Sequence, residues 1–462
     1  MSQLAFSTLG LSTEMLANLD SLGYTEMTPI QAQSLLPILS GRDVIGQGKT
    51  GSGKTAAFGL GLLGKLDVRR FCVQALILCP TRELADQVTK EIRRLARGVN
   101  NVKALTLCGG TPFGPQAGSL EHGVHIVVGT PGRIDDHLRK GTLSLDAVNT
   151  LILDEADRML DMGFEEVLER IIKQVPSQRQ TLLFSATFTE EIKKIAYRIM
   201  KQPEMVQVAT KHDHETIAQH FYRTDEAERS TALRLLLLQY FPDSTLIFCN
   251  TRQETQQVAE DLVRQGFSAM ALHGDLEQRE RDQTLVQFAN KSISILVATD
   301  VAARGLDIEA LDAVINYRIA QDPQVHVHRI GRTGRAGSRG IACTLYSDRE
   351  EHKLAKIAQG LDLESSEQPL PPLLLLDNAP MRPTMACLQI DGGRKQKVRP
   401  GDILGALTGA EGIAGSDVGK IHLFDQCAYV AVRRSAARVA QQKLAEGKIK
   451  GRAFKVRLIK GR

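Results

Sequence analysis

The run Gly48-Lys49-Thr50-Gly51-Ser52-Gly53-Lys54-Thr55 fits the spacing G-x-x-x-x-G-K-T, and it stands between a short apolar stretch and a helical one. In such a loop Gly51, Ser52 and Gly53 let backbone N–H groups approach phosphate oxygens. Lys54 brings a point charge to the outer phosphates, and the Thr55 hydroxyl can ligate Mg²⁺. Further along, the apolar residues 151–153 run directly into Asp154-Glu155-Ala156-Asp157. Asp154 is suited to hold Mg²⁺ and Glu155 to orient or deprotonate an attacking water. Ser185-Ala186-Thr187 offers two hydroxyls at the end of another apolar run. Standing alone, an acidic strand end or a Ser-Ala-Thr would be read as a helix cap; beside a phosphate loop they describe the hydrolysis of a nucleoside triphosphate. His328-Arg329-Ile330-Gly331-Arg332-Thr333-Gly334-Arg335 places guanidinium groups at every third position, with glycines that disfavour a plain solvated helix. Arginines presented from a facing domain neutralise charge on a transferring phosphoryl group and make hydrolysis conditional on closure.

These residues need a scaffold that brings strand ends together. Short aliphatic runs at residues 43–45, 75–79, 126–128, 150–153 and 181–184 alternate with longer amphipathic stretches, the rhythm of βα units on a parallel sheet. The rhythm restarts after a polar stretch near residues 211–215, with runs at 245–249, 269–272, 293–298, 313–316 and 340–346. Proline-rich residues 365–383 break it again, and their run of leucines at 373–376 is expected to pack on a neighbouring domain. Beyond them the order is strand 386–390, helix 401–407, strands 420–424 and 428–432, helix 436–444 and strand 454–458. This is a split βαβ arrangement. The predicted domains are residues 1–208, 216–364 and 384–462, with 365–383 as a linker.

At 462 residues, with 42% hydrophobic and 24% charged residues, the chain has the composition of a globular protein of several domains. No apolar run is long enough to span a bilayer and the first residues lack the order of a secretory signal, so the expected location is cytoplasmic. Seven cysteines without a C-x-x-C pair argue against zinc and against a disulfide framework. The net charge of +5 hides an asymmetry: residues 381–462 hold 17 Lys and Arg against 6 Asp and Glu, a balance of +11, which leaves −6 on the rest. A basic module on a mildly acidic body is the footprint of a nucleic-acid anchor.

Taken in order, these motifs resemble those of the DEAD-box helicases of superfamily 2, over roughly residues 5–360. The resemblance implies two tandem RecA-like parallel-sheet domains, an RNA-dependent ATPase with ATP and Mg²⁺ as cofactors, and a role for each matching residue. Gln31, in Gly23-Tyr24-x-x-Met27-Thr28-Pro29-Ile30-Gln31, would read the adenine edge, and Phe6 would stack on its face. Thr81 and Arg82, Gly109 and Gly110, and Thr130 and Arg133 would grip the RNA backbone in the first domain; Gln278, Arg281 and Thr299 would do so in the second. Such contacts fix the path of a strand without reading its sequence. Ser185, Thr187 and His328 would couple the two ligands, Asp307 would lie near the ribose, and Arg332 and Arg335 would reach the γ-phosphate. Gly48 stands where the family usually has Ala, from which little more than loop flexibility is expected. Arg318 stands where many members have an acidic or polar residue.

The tail resembles a small α+β RRM-like domain, and its place behind such a core resembles the bacterial DbpA group. That group acts in large ribosomal subunit assembly, with a tail that binds a peptidyl-transferase-centre hairpin of 23S rRNA. The implied partners are RNA, namely 23S rRNA and pre-50S particles, with no membrane and no obligate protein partner. The aromatic-rich signature with which RRM domains stack bases is missing, so recognition is expected to lean on Lys395, Lys397, Arg399, Lys420, Arg433 and Arg434, with Tyr429 as the aromatic of the corresponding strand. Rival readings are a DNA-directed helicase, a clamp or chaperone that uses ATP only as a switch, and a general RNA-dependent ATPase without rRNA specificity. A protein-binding tail is a further alternative.

Overall fold

The computed structural model describes residues 5–48, 51–208, 217–303, 311–334, 340–361, 367–410 and 412–459. They fall into two bodies, one up to residue 208 and one from residue 217.

The first body is a seven-stranded parallel sheet of β1 (Val44–Gln47), β2 (Ala75–Leu78), β3 (Ala104–Leu107), β4 (Ile126–Gly129), β5 (Thr150–Asp154), β6 (Gln180–Ser185) and β7 (Glu204–Gln207). The order across the sheet is β3-β4-β2-β5-β6-β1-β7. Helices cover both faces, which is why the central strands are apolar at nearly every position rather than at every second one. In β5, Ile152 enters the core shared with the helices Lys54–Leu63 and Arg82–Leu95, while Leu151 and Leu153 enter the opposite core with Met159 and Leu168.

The second body begins with another seven-stranded parallel sheet: β8 (Ile217–Arg223), β9 (Thr245–Cys249), β10 (Ala269–Leu272), β11 (Ile295–Thr299), β12 (Ala313–Asn316), β13 (Gly340–Tyr346) and β14 (Glu367–Gln368), in the order β10-β11-β9-β12-β13-β8-β14. β14 and the short 3₁₀ turn Leu373–Asp377 lie in the stretch expected to be a plain linker. The leucine run divides. Leu375 and Leu376 pack on the core around Leu233, Leu236 and Leu237, while Leu373 and Leu374 remain exposed.

The tail is a four-stranded antiparallel sheet of β15 (Met385–Ile390), β16 (Val418–Leu423), β17 (Ala428–Arg433) and β18 (Val456–Ile459), in the order β16-β17-β15-β18. The helices Pro400–Thr408 and Ala437–Glu446 cover one face through Leu388, Ile390, Val430 and Val432. The period-2 register sends Cys387, Gln389, Tyr429 and Ala431 to the other face, yet these are buried too. There Cys387 and Tyr429 pack with Val286 of the helix Gln278–Ala289, and Asn290 Nδ2 donates to Cys387 Sγ at 3.3 Å. The face on which an RRM would stack bases is therefore covered by the second RecA-like domain.

Candidate active site

In the first body, the sequence-predicted residues sort by strand. The ends of β1, β5 and β6, adjacent in the sheet, lead into the phosphate loop, Asp154-Glu155 and Ser185-Ala186-Thr187. The ends of β2, β3 and β4 lead into Thr81-Arg82, Gly109-Gly110 and Thr130. One half of the sheet edge thus carries the residues expected to hold nucleotide and the other half those expected to hold RNA, at the carboxyl ends where α/β sheets bind ligands.

The phosphate loop is held from behind. Gly53, at φ 93°, precedes the helix Lys54–Leu63, and its carbonyl accepts from Gln31 Nε2 at 3.1 Å. Thr28 Oγ1 donates to Ser52 O at 2.8 Å, and Thr28 N donates to Gln31 Oε1 at 2.9 Å. A side chain at Gly53 would sit 2.5 Å from Gln31 Nε2 as well as demanding left-handed backbone, so glycine is required twice over. Gln31 is buried and joins the segment expected to read the base to the loop expected to hold the phosphates. Lys54 is buried too, with Nζ on Gly48 O at 2.6 Å. A methyl group at Gly48 would lie 3.0 Å from Ile30 Cδ1 and 3.2 Å from Ser52 Oγ. Glycine there leaves that space open beside Ile30 and Ser52, in addition to the expected loop flexibility. Phe6 is buried and edge-on to Tyr24, 6.2 Å between centroids.

Asp154 ends β5 with 3% of its surface exposed, and Glu155 follows in left-handed backbone at φ 50°. Burial pushes the Asp154 carboxyl up to about 7; the Lys54 ammonium pulls against this, and the Glu155 carboxylate adds to it. Asp157 accepts from Thr187 N at 3.2 Å and from Thr187 Oγ1 at 3.0 Å, so the acidic run and the Ser-Ala-Thr run are one hydrogen-bonded unit. Asp157 has no expected role of its own from the sequence; its spacing from Asp154 is the signal that points to it. Among the described residues, Ser52 Oγ, Ser185 Oγ and Arg82 Nη1 are buried with no hydrogen-bond partner, which leaves them able to bond a ligand.

On the RNA half, Thr81 caps the helix Arg82–Leu95 by accepting from Leu84 N at 3.3 Å. Gly109 and Gly110 are exposed, and a side chain at Gly109 would meet nothing within 4 Å. Arg133 Nη2 donates to Thr111 O and Nη1 to Gln116 Oε1, each at 3.2 Å, which braces the turn that carries the glycines. Thr130 opens the helix Pro131–Arg139, with its N–H on Leu107 O at 3.1 Å.

In the second body, Gln278 begins its helix with Nε2 on Asp282 Oδ1 at 2.8 Å, and Arg281 Nη1 donates to His273 O at 3.3 Å. Thr299 ends β11 and its hydroxyl accepts from Ala302 N at 3.4 Å. The arginines of the 328–335 run do not share one role. Arg329 is buried and directs its N–H groups to Asp300 (2.7 Å twice), Arg318 O (2.6 Å), Asn250 (3.2 Å) and Asn316 (3.3 Å). All five donors are spent, so Arg329 ties the Thr299–Asp300 turn to the helix Pro323–Ile330 rather than reaching a phosphate. Sequence reasoning missed this, for spacing alone cannot tell a bracing arginine from an available one. His328 lies on that helix with Nδ1 buried and without a hydrogen-bond partner among the described residues. Arg332 follows it, largely buried. Arg335 and Asp307 lie outside the described residues. Arg318, the departure noted above, pairs with Glu226 and, at 2.6 Å, with Glu254.

Among the tail residues, Lys395, Lys397, Arg399 and Lys420 are exposed. Arg433 pairs with Asp417 at 3.1 Å, and Arg434 donates to Pro383 O at 2.8 Å and Met385 O at 3.0 Å, holding the start of the domain. Tyr429 is 2% exposed, edge-on to Phe424 and covered by the second domain, so its ring is not open to a base. Four basic residues that sequence reasoning passed over, Lys448, Lys450, Arg452 and Lys455, are exposed beyond the helix Ala437–Glu446. Lys450 Nζ donates to Lys397 O at 3.2 Å, which brings the two basic loops together.

The chain matches the DEAD/DEAH box helicase family over residues 28–195, the helicase conserved C-terminal domain over 227–337 and the DbpA RNA binding domain over 387–458. It is 53% identical over 457 residues to the ATP-dependent RNA helicase DbpA of Escherichia coli K12, covering 99% of this chain and 100% of that one. It is 46% identical over 353 residues to the DEAD-box ATP-dependent RNA helicase CshA of Geobacillus kaustophilus, covering 76% of this chain and 75% of that one. Among solved structures, Mss116p bound to ssRNA and AMP-PNP aligns with a TM-score of 0.73 at 27% identity over 81% of each chain. Saccharomyces cerevisiae Dbp5 bound to RNA and ADP BeF3 aligns with 0.71 at 28% identity, over 79% of this chain and 96% of that one. With the phosphate loop, the Asp157–Thr187 unit and the three-sheet order in place, the chain belongs to the DEAD-box ATP-dependent RNA helicases that carry a DbpA RNA-binding domain.

Proposed function

We propose that this helicase remodels 23S rRNA in pre-50S particles, addressed to a peptidyl-transferase-centre hairpin by the exposed basic loops of its tail. The observation that carries this reading is the contact of Lys450 with Lys397, which joins two loops that also expose Lys395, Arg399, Lys448 and Arg452, on a domain whose sheet face is covered. With stacking unavailable on that face, shape and phosphate contacts through these cations are left to recognise a hairpin. Docking on Val286 holds the tail at a set place on the second domain, so a bound hairpin raises the effective concentration of its own neighbouring duplex near the core.

In the core, Gln31 and Phe6 hold the adenine end of ATP, while Gly51, Ser52, Gly53, Lys54 and Thr55 hold its phosphates. The buried Asp154 and the Thr55 hydroxyl suit Mg²⁺, which would neutralise charge on the transferring phosphoryl group. Glu155 orients the water; Arg332 and Arg335 complete the site when ATP and a single strand draw the domains closed. Thr81, Arg82, Gly109, Gly110, Thr130, Arg133, Gln278, Arg281 and Thr299 hold that strand, and Asp157 with Thr187 and His328 links strand to nucleotide.

The test is the ATPase rate of the full chain against concentration for three polymers: an RNA with the peptidyl-transferase hairpin, an unrelated structured RNA of equal length, and the DNA version of the first. Half-maximal stimulation at much lower concentration for the hairpin RNA is the expected result. Equal stimulation by both RNAs leaves a general RNA helicase and removes the address.

A further inference from the structure

β3 is an edge strand of the first sheet, and an open groove of about 790 Å³ runs along its amino end. Its rim carries Arg93, Arg97, Lys103 and His122, with Asn100 and Asn101 between them. Residues 92–103 contain four Arg and Lys and no Asp or Glu, in a first body that is otherwise close to neutral. Arg94 is paired with Glu91 at 2.8 Å and turns its charge elsewhere. Arg97 and Lys103 are exposed, and Lys103 is held over the Phe71 ring at 4.8 Å from its centroid.

This groove is not the strand path already described. The helix Arg82–Leu95 begins at the RNA half of the sheet edge and ends here. Arg82 and Arg93 are thus separated by roughly 17 Å along the helix axis. The Gly109–Gly110 turn follows the far end of β3, whereas Lys103 precedes its near end.

The chemistry of the groove selects among ligands. Added strands pair with free outward carbonyls of an edge, but Arg93 Nη2 already donates to Ala104 O at 2.7 Å and blocks that pairing. Single-stranded nucleic acid is held by aromatic platforms; of the residues lining the groove only His122 carries an aromatic ring, with Nδ1 engaged on Gly118 O at 2.6 Å, and the neighbouring exposed Phe71 has Lys103 already over its face at 4.8 Å. Cations and amides without a stacking surface suit the regularly spaced phosphates of a helix.

We propose that this groove is a second RNA site, which holds the phosphodiester backbone of a helical segment lying outside the strand path, chiefly through Arg97 and Lys103. The site rests on the RNA-directed activity of the chain and not on the address carried by the tail. It gives the first domain a grip on the structured part of its substrate while the strand path grips the part to be separated.

The test uses the full chain and its Arg97→Gln/Lys103→Gln variant, with Arg93 left intact because it caps the edge strand. Binding is measured over a salt series to a plain RNA duplex bearing a single-stranded extension, and to the single strand alone. For the duplex, the plot of log affinity against log salt should become shallower by about 2, about 1 for each cation removed. Affinity for the single strand and ATPase without RNA should stay as in the parent chain, and Arg97→Lys should bind the duplex as the parent does. An unchanged slope for the duplex overturns the proposal, and so does an equal loss on both RNAs, which would put a strand in the groove. Either failure leaves the hairpin preference of the tail where it stands.

Discussion

Lys54 and Lys450 carry the same charge and each donates to a backbone carbonyl, Gly48 O at 2.6 Å and Lys397 O at 3.2 Å. The first is buried beneath a strand end among carboxylates; the second stands in solvent at the tip of a basic loop. The contrast extends to their neighbourhoods. Around Lys54 the atoms expected to act on ATP are desolvated and already oriented by Gln31, Thr28 and the Asp157–Thr187 unit, because charge stabilisation is strongest where water is excluded. Around Lys450 the cations are unburied, and what they offer a polymer is long-range attraction that salt can weaken. The proposed chemistry and the proposed address thus sit in different dielectric settings, and they should fail differently.

The largest effect expected from the core is that of Glu155→Gln. It should lower kcat for ATP by roughly 10²–10⁴, with RNA affinity preserved, as read by steady-state ATPase beside an RNA-binding titration. A comparable loss of RNA affinity would mean that Glu155 shapes the RNA half as well. Arg329→Lys comes next. Lysine cannot reproduce the paired contact with Asp300, and breaking a buried pair costs about 3 kcal/mol. The second body should therefore unfold at lower denaturant, and RNA-stimulated turnover should fall because the Thr299–Asp300 turn loses its tie to the helix carrying His328. Unaltered turnover with the same loss of stability would reduce Arg329 to a purely structural brace.

A smaller effect separates the two settings by pH. The Asp154 carboxyl is raised by burial to about 7 and is ordinary in the unfolded chain. Folding without nucleotide then favours its protonated form. Stability from this group is fully present below the ordinary carboxylate value of 3.8 and is lost as pH rises from there to about 7, by ~1 kcal/mol per unit, with no further loss above 7. Asp154→Asn should abolish that slope in thermal unfolding of the ligand-free chain. A bound cation reverses the preference, so Mg²⁺-dependent ATP affinity should weaken below pH 7.

What the sequence disclosed follows the same division. The phosphate loop, Asp154-Glu155 and Ser185-Ala186-Thr187 were legible because phosphate and water chemistry fixes both residue type and spacing. The central strands were legible because burial on both faces makes them apolar throughout. β3, β7, β8 and β14 were not, for they lie at or beside sheet edges, are partly exposed, and mix polar with apolar residues. The covered face of the tail was half legible: the run Ala428–Val430–Val432 marks one buried face, while Tyr429 and Ala431 between them are also apolar, a hint that the second face is covered as well. Which surface covers it, Val286, is a tertiary fact carried by no local pattern. In the same way, Lys448–Lys455 could be seen as charge but not as a neighbour of Lys397.

The most direct test of the division is a split of KM from kcat in one protein. In the full chain, Lys395→Gln/Lys397→Gln/Lys450→Gln removes charge from the tail loops without uncovering Val286, as truncation of the tail would. ATPase is then measured against concentration of the hairpin RNA. The account predicts that half-maximal stimulation moves to higher RNA concentration, more so in high salt, while the rate at saturation stays that of the parent. A lowered saturating rate at an unchanged half-maximal concentration would contradict it, because the tail would then take part in the hydrolytic step rather than in finding the RNA.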